Sequence, residues 1–359
     1  MAKFTGLYIT GKTPAKVPYW IGMQAAMLFP VIECLSIRQS RMLMKTALKM
    51  LDWRDGLGSE AVRAKWTTKV HGEGWQGHWI PFQDQLNTVT SIKGSPKATH
   101  TPSDTPVGAG CDIIVLSIHG GGYIDGHALM FLNYFRNWMK SVQKNQNLKI
   151  GILSIEYGLS PENPYPYAMN EIISAYRDLV KIHGVDSKRI VLLGDSAGGN
   201  ICLGTSLKLR DAFSELGSPA GHILICPWVR SKDPIKSSMY DVVSSIGCEI
   251  YAEAYTQNDP AIVMCPYTSP YSAPTLAGLP PMLIFIGGVE ILRPSIEKFV
   301  VKAQADGVNV KAVVGEGRAH NYMLMKDLST KEDRVEAHQA MGEFVLQAHQ
   351  RFTQMSLSH

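Results

Sequence analysis

The sequence predicts an α/β protein: a mainly parallel central sheet with helices on both faces and a helical cap. Three observations carry this. Short runs rich in Ile, Val and Leu recur at 111–118, 189–193, 282–286 and 308–314, and strands that are apolar throughout belong in sheets covered on both sides. Between and after them, residues 171–180, 295–305 and 331–352 carry an apolar stripe at helical period. The chain has 359 residues, 45% of them hydrophobic, enough for one large core plus a cap.

Along the chain, residues 17–37 are largely apolar, with Tyr19, Trp20, Met23, Met27, Phe29 and Leu35, but Gln24, Pro30 and Glu33 interrupt them. A membrane span needs roughly 20 nearly unbroken apolar residues. No basic leader or small-residue cleavage site marks a signal peptide. Residues 1–70 are therefore read as N-terminal cap or lid helices. The second of them falls at 38–51, where Met42, Met44 and Met50 sit among Arg and Lys. Ordinary core is the plainer reading of that stripe, and peripheral membrane contact the minority one. Residues 71–359 form the main domain. Within it, 93–110 is rich in Pro, Thr, Ser and Gly and reads as an exposed connection. Residues 230–275 are read as a cap insertion.

The run at 111–118 leads into His119-Gly120-Gly121-Gly122-Tyr123. Three consecutive glycines weaken any regular element, so they need a reason. Close approach of backbone N–H groups to a substrate oxygen supplies one, making Gly121, Gly122 and Ala197 candidates for an oxyanion hole. The alternatives are a flexible turn or a phosphate cradle. A cradle calls for a helix opening directly afterwards with a Lys or a patterned third glycine, and neither is present. Farther on, an apolar run from Arg189 climbs into Gly194-Asp195-Ser196-Ala197-Gly198, and a helical pattern follows from Asn200. Strand, sharp turn and helix around G-x-S-x-G form a nucleophile elbow, which exposes the Ser196 hydroxyl at the top of a sheet.

HGGGY followed by GDSAGGN resembles the hormone-sensitive-lipase-like family of α/β-hydrolase esterases. Three other stretches are similar to that family: residues 157–166 (YGLSPENPYP), residues 185–190 before the elbow, and Ser269-Pro270 with Leu279-Pro280-Pro281-Met282. The resemblance covers about residues 110–350 and implies the α/β-hydrolase fold and a Ser–acid–His order along the chain. The acid falls at Glu290, after the 282–286 run, where the family usually has Asp. The competing role for Glu290 is to cap the helix starting near Pro294. The base falls at His320, in the loop after 308–314, similar to the family's His-x-Phe segment. Glu316 is a rival acid, but it shares a loop with the histidine and reads as a surface residue. Asp195 and His119 read as structural, with His119 bracing the glycine loop. Tyr123, Tyr251 and Tyr255 are candidate substrate-binding residues.

A formal charge of +4 with no basic run argues against a nucleic-acid partner. The six cysteines, at 34, 111, 202, 226, 248 and 265, form no C-x-x-C or Cys/His grouping. They read as small buried apolar residues of a cytoplasmic protein. Neither a metal site nor a cofactor fingerprint is found, so no cofactor is expected. The expected function is a serine carboxylic-ester hydrolase acting through an acyl-enzyme on a small-to-medium ester, with specialised metabolism one setting for it. Besides a membrane-bound lipid deacetylase, two alternatives stay open. One uses the same triad for lactone or amide cleavage, acyl transfer or elimination. The other is a non-catalytic ligand-binding protein on the same scaffold, although such proteins lose the base that His320 supplies here. A homodimer is the oligomeric state that the resemblance suggests.

Overall fold

A computed structural model describes Lys16 and residues 35–54, 56–82, 107–232, 235–238 and 240–357. Residues 17–34 of the expected cap and 93–106 of the expected connection lie outside the described residues. Helix α1 (Ile37–Arg54) is followed by the single turn α2 (Glu60–Arg63) and the hairpin β1 (Thr68–Gly72) and β2 (Trp75–Ile80). Strands and helices then alternate: β3 (Ile113–Ile118), α3 (Leu132–Gln146), β4 (Ile150–Ile155), α4 (Tyr167–Lys181), β5 (Ile190–Asp195), α5 (Ala197–Ala212) and β6 (Gly221–Ile225). Two helices, α6 (Ser245–Thr256) and α7 (Pro260–Val263), occupy the long crossing to β7 (Met282–Gly287). Helix α8 (Arg293–Ala305), strand β8 (Val310–Gly315) and helix α9 (Lys331–Leu357) complete the order.

Among the described residues the strands form one sheet in the order β1-β2-β4-β3-β5-β6-β7-β8. Pairing is antiparallel for β1–β2 and β2–β4 and parallel from β4 to β8. Every residue of β3, β4, β5, β6 and β7 is buried, which is why those stretches carry unbroken apolar runs. Strand β8 closes the sheet at one edge and is only partly covered. The opposite-edge hairpin gives a much weaker signal: β1 is Thr-Lys-Val-His-Gly, and in β2 the buried Trp75, Gly77 and Trp79 alternate until Ile80, also buried, breaks the pattern.

The chain reverses direction within this sheet. From β3 it steps outward to β4, then returns across β3 to β5. Right-handed crossovers then place the connecting helices on opposite faces. Accordingly, α3 packs with α9, and α4 packs with α5. Open sheets bind ligands at such a switch point, beyond the carboxyl ends of the strands. Here the switch point lies between β3 and β5, the two strands that lead into the glycine loop and the elbow.

Helix α1 is fastened to this end of the molecule. Arg41 forms an ion pair with Glu162 at 2.7 Å and donates to the carbonyls of Ile124 and Ser160. Arg54 pairs with Asp327 at 2.6 Å. Met42, Met50 and Trp53 on the same helix remain exposed. Among the described residues no helix is long and apolar enough to cross a membrane.

The core is centred on the parallel strands, with Trp138, Tyr176 and Phe299 fully buried where helices meet the sheet. Ile284, in β7 and fully buried, tests how far the sheet depends on this packing. Ile284→Ala is expected to cost about 2–5 kcal/mol. Urea denaturation should show this as a lower midpoint with an unchanged slope.

Candidate active site

Strand β5 delivers the chain into Ser196 with φ 51° and ψ −119°, a conformation that L-residues hold only under constraint. The constraint comes from the end of β6. Ser196 N–H donates to Ile225 O at 2.9 Å, and Ser196 O accepts from Trp228 N–H at 3.0 Å. The helix beyond can approach because residue 198 has no side chain: a Cβ on Gly198 would collide with the carbonyl oxygens of Ile118 and His119. Ala197 opens α5, so its N–H has no acceptor within the helix.

The glycine loop faces this helix start. Gly121 and Gly122 have φ of 105° and 60°, and among the described residues no backbone carbonyl takes either N–H. Asp195 Oδ1 accepts the N–H of Gly120 at 2.9 Å. His119 stacks on Tyr157 with ring centroids 4.2 Å apart, and the Tyr157 hydroxyl donates to His119 O at 2.9 Å. Burial pushes the His119 imidazole down to about 4. It therefore stays neutral and sits in the loop as a brace.

Glu290 and His320 meet across the loops after β7 and β8, and both are buried. Glu290 Oε2 lies 2.6 Å from His320 Nδ1, while Oε1 accepts the Gly287 N–H at 2.7 Å. That pairing assigns the ring proton to Nδ1 and leaves Nε2 as the basic nitrogen. Burial lowers the pKa of the His320 imidazole. The Glu290 hydrogen bond and the charges of Glu290, Asp241 and Asp195 outweigh it and hold the group above its ordinary value.

One bond carries the histidine loop to the elbow, and a second ties it to the end of β6. Asn321, next to the base, donates its side-chain amide to Asp195 Oδ2 at 2.7 Å, and Asp195 is the residue before Ser196. Asn321 N–H also donates to Cys226 Sγ at 3.3 Å, just beyond β6. Upstream, Arg318 pairs with Asp333 at 2.7 Å and donates to Lys16 O, fixing the approach to His320. Ser196, Glu290 and His320, expected together from the sequence, thus belong to loops sewn to one another at the carboxyl end of the sheet.

The remaining candidates divide. The ring of Tyr251, on α6, stands where a Gly122 side chain would be, directly on the glycine loop. Tyr123 and Tyr255 stack on each other at 3.9 Å and are almost wholly buried. Glu316 is exposed and faces Arg293 at 3.7 Å. Glu290 caps no helix, since its oxygens go to Gly287 and His320. Cys226, Glu290 and His320 are the one trio of metal-type donors found close together among the described residues, within 4.8 Å. Two of those donors are already engaged with each other. No role in the site was read from the sequence for Cys226, Asn321 or Asp241: Asn321 is the variable position of the His-x-Phe-like segment, and the other two lie in no motif.

A family model described as alpha/beta hydrolase fold matches residues 115–324. An esterase of Acinetobacter venetianus is 30% identical over 254 residues, covering 68% of this chain and 80% of its own length. The hormone-sensitive lipase of Mus musculus is 41% identical over 98 residues, which is 26% of this chain and only 12% of that lipase. A solved hormone-sensitive lipase from a metagenome library has a TM-score of 0.68 at 22% identity, over 92% of this chain and 98% of its own, a likeness of fold.

The contact beneath the elbow gives a test. Gly198→Ala must push α5 off the end of β3, an overpacking cost of about 1–3 kcal/mol. A lower melting temperature together with reduced ester turnover is expected. An unchanged melting temperature would mean that the helix does not lie on β3 as described.

Proposed function

The chain belongs to the hormone-sensitive-lipase-like family of α/β-hydrolase esterases, and from that premise we propose a covalent serine mechanism for its ester hydrolysis. Ser196 Oγ attacks the ester carbonyl while His320 Nε2 takes its proton. Glu290 orients the imidazole and stabilises its cation. The N–H groups of Gly121, Gly122 and Ala197 receive the negative charge of the tetrahedral intermediate. His320 then protonates the departing alcohol, and water repeats the steps on the acyl-enzyme, releasing the acid.

The observation that carries this reading is the 2.6 Å Glu290–His320 bond in a loop tied through Asn321 to the residue before Ser196. A neutral imidazole anchored by a buried carboxylate is what a hydroxyl nucleophile requires, and a purely ligand-binding scaffold has no use for it. In this proposal residues 230–275, with α6 and α7, act as a cap, and Tyr251 forms part of the wall that an acyl group meets. The substrate class is a small-to-medium carboxylic ester.

Ser196→Ala should lower turnover of p-nitrophenyl acetate and butyrate by at least ~10³-fold while circular dichroism stays native. Near-normal turnover in that variant would end the serine reading. A second test uses pH. The base works only when neutral, and its pKa lies above the usual 6.5. The acid limb of kcat/KM should therefore inflect above that value, with activity rising as pH rises through it.

A further inference from the structure

Asp241 lies in the stretch between β6 and α6 and is 1% exposed. Its Oδ1 accepts the backbone N–H of His320 at 2.9 Å, and its Oδ2 accepts the N–H of Ile291 at 2.8 Å. One carboxylate therefore clips the residue carrying the base to the residue directly after the acid. This link runs alongside the Glu290–His320 bond. Oδ1 also accepts the N–H of Val242 at 2.8 Å, which holds the carboxylate to its own segment.

Backbone N–H groups do not need an anion. A carbonyl or a side-chain amide oxygen would satisfy them without the penalty of burying a charge. That penalty is visible here: burial pushes Asp241 up to about 6, with Glu290 adding to the rise and the His320 charge and the N–H bonds opposing it. What an anion offers at this position is attraction for a cation, and the cation at hand is the His320 imidazolium.

Resting on the serine-triad reading, we infer that Asp241 is a positioning residue of the same site. It fixes the spacing of the Glu290 and His320 loops and supplies a further negative charge, beside those of Glu290 and Asp195, that stabilises the His320 imidazolium formed when Ser196 loses its proton. The titratable groups facing that ring are Glu290 after β7, Asp195 at the end of β5, Cys226 after β6 and Asp241 before α6. Those coupled to Asp241 are His320 and Glu290.

The test compares the full-length wild type with Asp241→Asn, Asp241→Glu and Ser196→Ala. Each is assayed for p-nitrophenyl butyrate hydrolysis across neutral and mildly acidic pH, with its melting temperature recorded. Asp241→Asn removes the charge and sets an amide N–H2 against a backbone donor. Its kcat should fall about tenfold or more, short of the ~10⁴-fold loss that follows when a directly bonded orienting acid is changed. KM should stay within about twofold.

The acid limb of kcat/KM should also move to lower pH in Asp241→Asn, because the imidazolium has lost an anion. Asp241→Glu should return the limb toward its wild-type position. A merely structural role would lower the melting temperature and leave the limb in place, and that result overturns the inference. If the Asn variant does not fold, Asp241→Ser, which keeps an acceptor without a charge, is read by the same limb. Inactive Ser196→Ala with an unmoved limb in Asp241→Asn sinks only the role of Asp241. Active Ser196→Ala sinks the triad reading beneath it.

Discussion

The carboxylate of Asp195 binds the glycine loop and the histidine loop to the elbow that carries it. From the last position of β5 it accepts the N–H of Gly120 on Oδ1 and the side-chain amide of Asn321 on Oδ2. Strand pairing brings β3, β5 and β8 to a common end of the sheet, but pairing alone leaves the course of the loops beyond them open. A buried carboxylate settles it, because hydrogen bonds to an anion are short, directional and stronger than neutral ones. The strained Ser196 backbone is held from the other side by its bonds to Ile225 and Trp228. The positions of Ser196, the glycine loop and His320 are thus consequences of one bonded frame.

That frame carries unusual charge for a buried site. Asp195 and Asp241, each pushed up to about 6 chiefly by burial, stand with Glu290 around a single buried imidazole. For both aspartates the folded-state pKa exceeds the ordinary 3.8. The folded state therefore holds protons that the unfolded chain has released, and stability declines as pH rises through the window from there to about 6. The anions are kept at neutral pH despite that decline. Their surroundings favour the cationic form of His320, which is why that imidazole is held above its ordinary pKa despite burial.

Much of this was legible in the sequence, and the reasons differ by element. Strands β3, β5 and β7 are buried on both faces, so their apolar runs are continuous and unmistakable. The glycine loop and the elbow announce themselves because close backbone approach excludes side chains, as the Gly198 contact with β3 illustrates. Glu290 and His320 were singled out by the Ser–acid–His order that the family resemblance implies, together with their places after successive strands. The β1–β2 hairpin was not, since an edge hairpin with a polar outer strand leaves only the alternation of Trp75, Gly77 and Trp79. Asp241 left no trace at all. Its partners are backbone N–H groups 50 and 79 residues away, and backbone groups carry no sequence identity.

The crossing between β6 and β7 does two things at once. Tyr251 rests on the glycine loop, and Asp241, ten positions earlier, grips the acid and base loops. In a modular hydrolase the segment that shapes the pocket can be exchanged freely while the machinery below stays untouched. Here a single short stretch both covers the glycine loop and fastens the loops of Glu290 and His320. Diversification of this chain toward new esters is therefore channelled: drift in the crossing that reshapes the pocket must keep Asp241 in register.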